Sequence, residues 1–440
     1  MLSKSPAYNL KAVLRETGLA ADTLRAWERR YGLPVPQRSA GGHRLYSQYD
    51  IETIKWLIAR QAEGLSISRA VDLWNEITAS GSDPLAGLAP SSLATLTGSA
   101  PILPADTTLD AIRLEWVTAC LNFSETQAEQ ALNKAFSMFP VESVCMDVLQ
   151  KGMSEIGNLW FENRASVQQE HFASGLAMRR LDALLSASPA PTRPQTILVG
   201  CPPTEWHAFT PLQIALFLRR RGLNVIYLGA NIPAERFAET ALNVRANLVI
   251  LASQTLSSAA HLQHAALALA GQGVFVGFGG RIFNLRPAIA EYIPGQFLGV
   301  SLEDAVKEVE SLLRTKPKEK TPKAAPQEYL SAMHGFSARR AQIEGTVKAK
   351  LPPLSIGPEE LNASIQYLGD NIAAALQFGD MEHLAGEMDW LKMLLQAYQR
   401  PRQELAAFMD IYSQAVDAHI NGQGEPIKRW LAGEVARLGA

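Results

Sequence analysis

Between residues 196 and 313, short apolar runs alternate with amphipathic helical stretches, and little else intervenes. The apolar runs are "TILVGC", "NVIYLG", "NLVILAS", "VFVGFGG" and "QFLGV". Between or after them come "PLQIALFLRRRG", "PAERFAETALNVR", "AAHLQHAALALAG", a further helical stretch and "SLEDAVKEVESLL". Apolar runs without polar alternation suit strands covered on both faces, and strand–helix alternation makes those strands parallel. The segment 196–315 is therefore expected to form a Rossmann-like, doubly wound parallel sheet. Ligands of such sheets lie beyond the carboxyl ends of the strands.

Three loops at that edge are unusual. The first strand is followed by "GCPPTEWHAF", which places Glu205, Trp206 and His207 together, with Thr210-Pro211 as the expected helix start. The third is followed by "SQT", Ser253 to Thr255, and the fourth carries Gly277 with Gly279 and Gly280, small enough for close backbone approach. The first loop lacks G-x-G-x-x-G, which speaks against nicotinamide dinucleotide binding. A histidine, a carboxylate, small hydroxyls and a glycine slot suit a metal-centred cofactor with a long polar tail, the carboxylate fixing the imidazole tautomer. The alternative is a loop histidine without a ligand role.

The rest of the chain divides around linker-like stretches. Residues 78–108 are rich in Ser, Gly, Pro and Thr, residues 186–195 are Pro-rich, and residues 314–328 are charged and Pro-broken. The expected modules are residues 1–77, a helical bundle over 109–186, the sheet over 196–315, a linker at 316–328 and a C-terminal helical domain over 329–440. Three widely spaced cysteines suggest a reducing compartment. With no apolar leader and no run long enough to span a bilayer, the expectation is a cytoplasmic protein. The net charge of −2 is uninformative until read by segment.

In the first module, "NLKAVLRETG" and "AADTLRAWERRYG" read as two short helices, Asn9 capping the first and Gly18 ending it. "PQRSAGGHRLYS" reads as a hairpin wing with Gly41-Gly42 at its tip. Lysine and arginine outnumber Glu16, Asp22 and Glu28 over residues 1–46, the footprint of phosphate binding or simply a solvated charged face. The string "TLRAWERRYGL…GGHRLYS..DIETIKWL" resembles the winged helix-turn-helix domain of the MerR family of transcriptional regulators over residues 7–75. The resemblance implies a double-stranded DNA operator and a dimer. It also implies a recognition helix bearing Thr23, Arg25, Arg29 and Arg30, and a wing gripping backbone through Arg38, His43, Arg44 and Tyr46. Trp27 reads as core. The long coiled coil common after this domain is not visible here.

The stretch "PPTEWHAF…LRRRGLNVIYLGANIP…SQT…GG" resembles a cobalamin-binding domain. That implies His207 as the lower axial ligand of cobalt, Glu205 as its orienting carboxylate, and Ser253, Thr255, Gly279 and Gly280 along the nucleotide tail. Glu stands where Asp is commoner, and Thr210 where glycine is usual. In the bundle 109–186, "ASVQQEHFASGLAMRRL" has Ser166 and Gln169 in capping-box spacing and Val167, Glu170, His171, Ser174 and Met178 on one face expected to be buried. Taken alone, Trp160 is core and Glu170–His171 a polar pair. Trp160 followed at the same spacing by Val167, Glu170 and His171 resembles the four-helix cap of CarH-type light-responsive repressors. That implies adenosylcobalamin beneath it, but Phe161 replaces the histidine that takes cobalt after light.

Residues 329–440 are helical throughout, with an apolar stripe from Leu361 to Leu376. They read as a docking or dimerisation bundle. They also loosely resemble the C-terminal region of cobalamin photoreceptors that carry a bilin; here a bilin would be noncovalent, with His383, Trp390 and Tyr367 as candidates. The functional expectation is a cobalamin-controlled, light-responsive transcriptional regulator, dimeric or tetrameric and not an enzyme. The alternatives are a corrinoid methyl carrier or mutase subunit, and a repressor controlled by a protein partner.

Overall fold

The computed structural model describes residues 4–17, 19, 21–38, 44–62, 67–79, 83–85, 108–162, 164–315, 321–351, 357–388, 402–420, 422 and 424–439. Gly18, the hairpin tip Gly41-Gly42, His43, Trp390 and most of the 78–108 stretch lie outside them. The chain divides into two compact units, one on each side of residue 102.

The first unit opens with a strand, β1 (Pro6–Asn9), that the helical pattern of its neighbours conceals. Helix α1 (Leu10–Thr17) follows, and the Asn9 side chain accepts the Ala12 N–H at 2.9 Å, as a cap should. Helix α2 (Ala21–Tyr31) buries Leu24 and Trp27 and leaves Thr23, Arg25, Arg29 and Arg30 exposed. Strands β2 (Gln37–Arg38) and β3 (Arg44–Ser47) pair antiparallel, and β3 lies between β1 and β2. Ser47 and Asp50 bond reciprocally at the start of α3 (Gln48–Ala62), which packs against α4 (Ile67–Ala79).

The second unit begins with the bundle α5 (Leu109–Leu121), α6 (Glu125–Met138), α7 (Lys151–Phe161) and α8 (Val167–Ser186). Ser166 and Gln169 form the capping box at the start of α8. Gly152 lets α7 approach α5: a Cβ there would stand 2.8 Å from the Trp116 ring. A π-helical stretch, Val144–Gln150, precedes α7, and the buried Gln213 amide donates to the Cys145 carbonyl within it. That bond fastens the bundle to the sheet domain.

The sheet has β4 (Thr196–Gly200), β5 (Asn224–Gly229), β6 (Leu248–Ala252), β7 (Val276–Gly279) and β8 (Gln296–Phe297), all parallel, in the order β5-β4-β6-β7-β8. Its crossovers are α9 (Phe209–Arg220), α10 (Ala234–Asn243), α11 (Leu256–Gly271) and the short α12 (Arg281–Leu285), with α13 (Leu302–Arg314) after β8. Helix α9 starts at Phe209, so Pro211 is its third residue rather than its first; it still falls in the turn whose N–H groups have no helical acceptor. The strands alternate faces. Ile197, Val199 and Ile250 join the core with α9, α13 and the bundle, whereas Leu198, Val249 and Leu251 join the opposite core with α10 and α11.

That second core continues without a break into the C-terminal helices α14 (Gln327–Lys350), α15 (Pro358–Gln377), α16 (Arg402–His419) and α17 (Glu425–Gly439). The Gln377 amide donates to the Ala260 carbonyl at 3.0 Å, directly joining α15 to α11. The Pro-broken stretch before residue 327 thus does not set the bundle apart as a free module. No described helix is long and apolar enough to cross a membrane.

Candidate functional site

In the order β5-β4-β6, the chain leaves β4 toward one side and comes back on the other, and the crevice of such a sheet opens between the loops after β4 and β6. The loops after β4 and β5 are bent into fixed shapes. Thr204 and Asn231 adopt positive φ of 66° and 51°; the Asn231 side chain accepts the Thr204 N–H, and the Asn231 N–H donates to the Glu205 carbonyl. Glu205 is thereby turned inward, its side chain 1% exposed, while the His207 side chain beside it is 67% exposed.

Every strong donor nearby converges on that carboxylate. His207 Nδ1 lies 2.6 Å from Glu205 Oε1, which also accepts the His207 backbone N–H at 2.9 Å. Oε2 accepts the Gln254 backbone N–H at 2.6 Å and the Ser258 hydroxyl at 2.7 Å. Burial alone would raise the Glu205 pKa, but these donors outweigh it and hold it below the ordinary carboxylate value. The same bond raises His207 above an ordinary imidazole, against its partial desolvation. With Nδ1 engaged by Glu205, Nε2 is the nitrogen left for a ligand, the arrangement by which a carboxylate sets the basicity of a metal-bound histidine.

The loop after β6 adds a polar atom with nothing to bond. Ser253 is fully buried and its hydroxyl has no partner among the described residues. Gly280 has φ of 122°, and a Cβ on it would stand 2.0 Å from the Ser253 carbonyl oxygen, so no other residue fits. A Cβ on Gly279 would meet nothing within 4 Å, so that glycine borders open space. Gly277 does not line the slot: a Cβ there would stand 2.9 Å from the Leu298 side chain, and the glycine makes room for that core leucine. Thr255 is occupied in capping α11, its hydroxyl accepting the Ser258 N–H at 3.2 Å. The Gln254 side chain accepts the Arg281 N–H, which stitches this loop to the one after β7.

The bundle residues face solvent more than their spacing suggested. Val167 and Phe161 are exposed, Trp160 is half-buried, and the His171 side chain, bonded through Nδ1 to Glu170 at 2.7 Å, is 76% exposed. The expectation of a buried face on α8 fails for Val167 and His171 because the bundle core is filled by Ala173, Leu176, Ala177 and Leu181, centred roughly a quarter turn round the helix, although Met178 packs against that core. Glu170 nevertheless belongs to this site, since its charge, with that of Arg281, acts on His207. Trp206 also projects outward. Together these residues fit a corrin. One imidazole nitrogen suits a metal that brings its equatorial ligands with it, the Ser253 hydroxyl lacks a partner, and the glycine pair leaves width for a tail.

In the first unit, Thr23, Arg25, Arg29 and Arg30 share the outer side of α2, and Arg38 is exposed on β2. Tyr46 does not reach outward: its ring is fully buried and its hydroxyl donates to Glu28 at 2.5 Å. It is core because β3 turns that position toward α2. Arg44 also turns toward Glu28, its Nε 2.8 Å from the carboxylate. Of the C-terminal candidates, Tyr367 donates its hydroxyl to Glu387, and His383 is buried edge-on against Phe378.

Asn231, Gln254 and Ser258 were not anticipated from the sequence. Only Ser258 left a trace, three residues after Thr255 at capping spacing.

Comparison with known proteins agrees with this geometry. Residues 8–76 match the MerR HTH family regulatory protein model, and residues 113–185 and 195–306 match two B12 binding domain models. The chain is 28% identical over 252 residues to the HTH-type transcriptional repressor CarH of Myxococcus xanthus, covering 57% of this chain and 80% of that protein. It is 31% identical over 246 residues to the HTH-type transcriptional repressor CarA of the same organism, covering 55% of this chain and 75% of that protein. A shorter match, 49% over 47 residues, links 11% of this chain to 19% of the HTH-type transcriptional regulator MlrA of Escherichia coli. The chain belongs to the family of MerR-type transcriptional repressors with B12-binding domains that includes CarA and CarH.

Proposed function

We propose that this chain controls transcription by binding an operator through its first unit and releasing or holding it according to the state of a bound cobalamin. The observation that carries this reading is the His207 imidazole, exposed and held by a buried carboxylate at the switch point of the sheet. Nε2 would ligate cobalt, with Glu205 keeping the proton on Nδ1. The Ser253 hydroxyl, Gly279 and Gly280 would hold the nucleotide tail. Trp160, Val167, Glu170, His171 and Trp206 would border the corrin. Adenosylcobalamin, the form we propose, would supply a light-labile cobalt–carbon bond.

The chain's own part is to register the state of that bond. Trp160 and Val167 would border the bound cofactor, and the bundle that carries them is fastened to the sheet at Gln213. A change there shifts the bundle only as far as the two cofactor states differ in affinity for its two positions. Phe161 has no lone pair, so no second imidazole is offered to cobalt at that position. We propose a homodimer or homotetramer acting in the cytoplasm as a regulator and not a catalyst, with Thr23, Arg25, Arg29, Arg30 and Arg38 toward the duplex.

The test is the absorption spectrum and DNA binding of the chain supplied with adenosylcobalamin, in the dark and after illumination. The expected result is a bound corrinoid spectrum that His207→Ala alters, with DNA binding that differs between dark and light. Identical DNA binding with and without the cofactor would sink the reading. The same samples supplied with a bilin test a second chromophore in the C-terminal helices: absorption beyond the corrin bands would assign one, and its absence would remove it.

A further inference from the structure

Glu28 sits on α2 immediately before Arg29 and Arg30, on the helix that carries the exposed arginines. An open carboxylate there would repel phosphates and weaken binding to DNA. The structure withdraws it: the Glu28 side chain is 9% exposed. One oxygen accepts Arg44 Nε at 2.8 Å and the other accepts the Tyr46 hydroxyl at 2.5 Å. Both partners stand on β3, whose neighbour β2 carries Arg38. The Tyr46 ring is packed in the core with Leu24 and Trp27 of α2 and Ile51 and Ile54 of α3, so strand and helix share one buried contact beside the carboxylate. A carboxylate bonded to two donors of one strand sets the separation and angle between that strand and its own helix. Charge-assisted hydrogen bonds of this kind are the stronger ones.

We propose that Glu28 is a positioning residue for DNA binding, which locks the wing strand to the arginine-bearing helix through Arg44 and Tyr46. It goes beyond the cofactor reading and is independent of it. An acidic residue would thus favour binding to a polyanion, and this gives the proposal a sign that ordinary electrostatics reverses. If Glu28 were only a charge near the duplex, its removal would tighten binding.

The test uses the full chain and a mixed-sequence duplex of about 30 base pairs, long enough for the electrostatic contacts to form. Affinity is measured by fluorescence anisotropy at fixed salt, with far-UV circular dichroism to confirm folding. Glu28→Ala is expected to weaken binding about three- to tenfold, the scale of losing charged hydrogen bonds. Glu28→Gln, which removes the charge but keeps one acceptor oxygen for Arg44 and an NH2 that can donate to the Tyr46 oxygen, is expected to recover part of that loss. A residue that mattered only for stability would leave the affinity of the folded variants unchanged. Binding by Glu28→Ala as tight as or tighter than that of the parent chain overturns the proposal. If Glu28→Ala does not fold, Tyr46→Phe decides. It keeps the ring and every charge, and weaker binding supports the lock while unchanged binding removes it.

Discussion

Glu28 on α2 and Glu205 at the sheet edge are both nearly buried carboxylates, and each draws donors from a distant stretch of chain. At Glu28 the phenol is consumed: Tyr46 is core, while the partly exposed Arg44 turns its Nε toward the helix. At Glu205 one partner is kept available: three donors hold the carboxylate still, and the fourth, His207, presents its ring to solvent. The same chemistry therefore builds a joint in one place and leaves an accessible imidazole in the other. What separates them is whether the partner side chain has a second face to offer. An imidazole has two nitrogens on opposite edges, whereas a phenol inside a core has nothing left to present.

If that contrast holds, removing each carboxylate should have a different cost. Glu205→Ala leaves the Gln254 N–H without its acceptor and the Ser258 hydroxyl with only the Thr255 carbonyl at 3.1 Å, and we expect a loss of about 3 kcal/mol in urea unfolding of the second unit. Glu28→Ala should cost less, about 1–2 kcal/mol in the first unit. Its arginine partner is partly exposed and contributes little, so the unpaired Tyr46 hydroxyl dominates. Equal losses would break the comparison. Single-hydroxyl deletions sharpen it further: Ser258→Ala and Tyr46→Phe should each cost about 1 kcal/mol by the same measurement. Only Ser258→Ala should change the His207 environment, seen as a shifted imidazole resonance.

The smallest effect concerns histidines without a dedicated carboxylate. Desolvation lowers the pKa of His383, with Asp380 opposing and Arg286 adding to the shift. Desolvation likewise lowers His261, with His264 adding and Asp370 opposing. A base whose pKa is depressed on folding binds fewer protons folded than unfolded. Its stabilisation is therefore complete above the ordinary histidine pKa of about 6.5 and is lost as the pH falls through it. The contribution of these two histidines to the thermal stability of the second unit should drop modestly between about pH 7 and pH 5, against the opposite slope from the raised His207, and His383→Phe should remove part of that drop.

Much of this was legible because periodicity carries it. Continuous apolar runs implied the parallel sheet, and the carboxyl ends of its strands marked the edge where Glu205 and His207 would meet. Spacing alone could not say which way a wing residue turns. Arg44 and Tyr46 follow a glycine-rich tip and look like grips, yet both turn toward Glu28 on α2 and Tyr46 is fully buried. The holders of the Glu205 loop were hidden for another reason. Asn231 acts through a positive φ, and Gln254 acts partly through its backbone N–H, which any residue could supply. The union of the sheet with the C-terminal helices was concealed by the lysines and prolines between them. The clue lay instead in α11, whose sequence "LSSAAHLQHAALALAG" is apolar nearly all round and so calls for cover on more than one side.

That twice-covered helix bears on how the sensor could be reused. Cutting the chain after α13, where sequence matches to the B12 domain have already ended, would strip Ile372, Leu376 and Phe378 from the outer side of α11 and leave a greasy flank in water. A fragment made that way should clump rather than report. The transplantable receptor runs from the first bundle helix through α17, longer than the cofactor fold it contains.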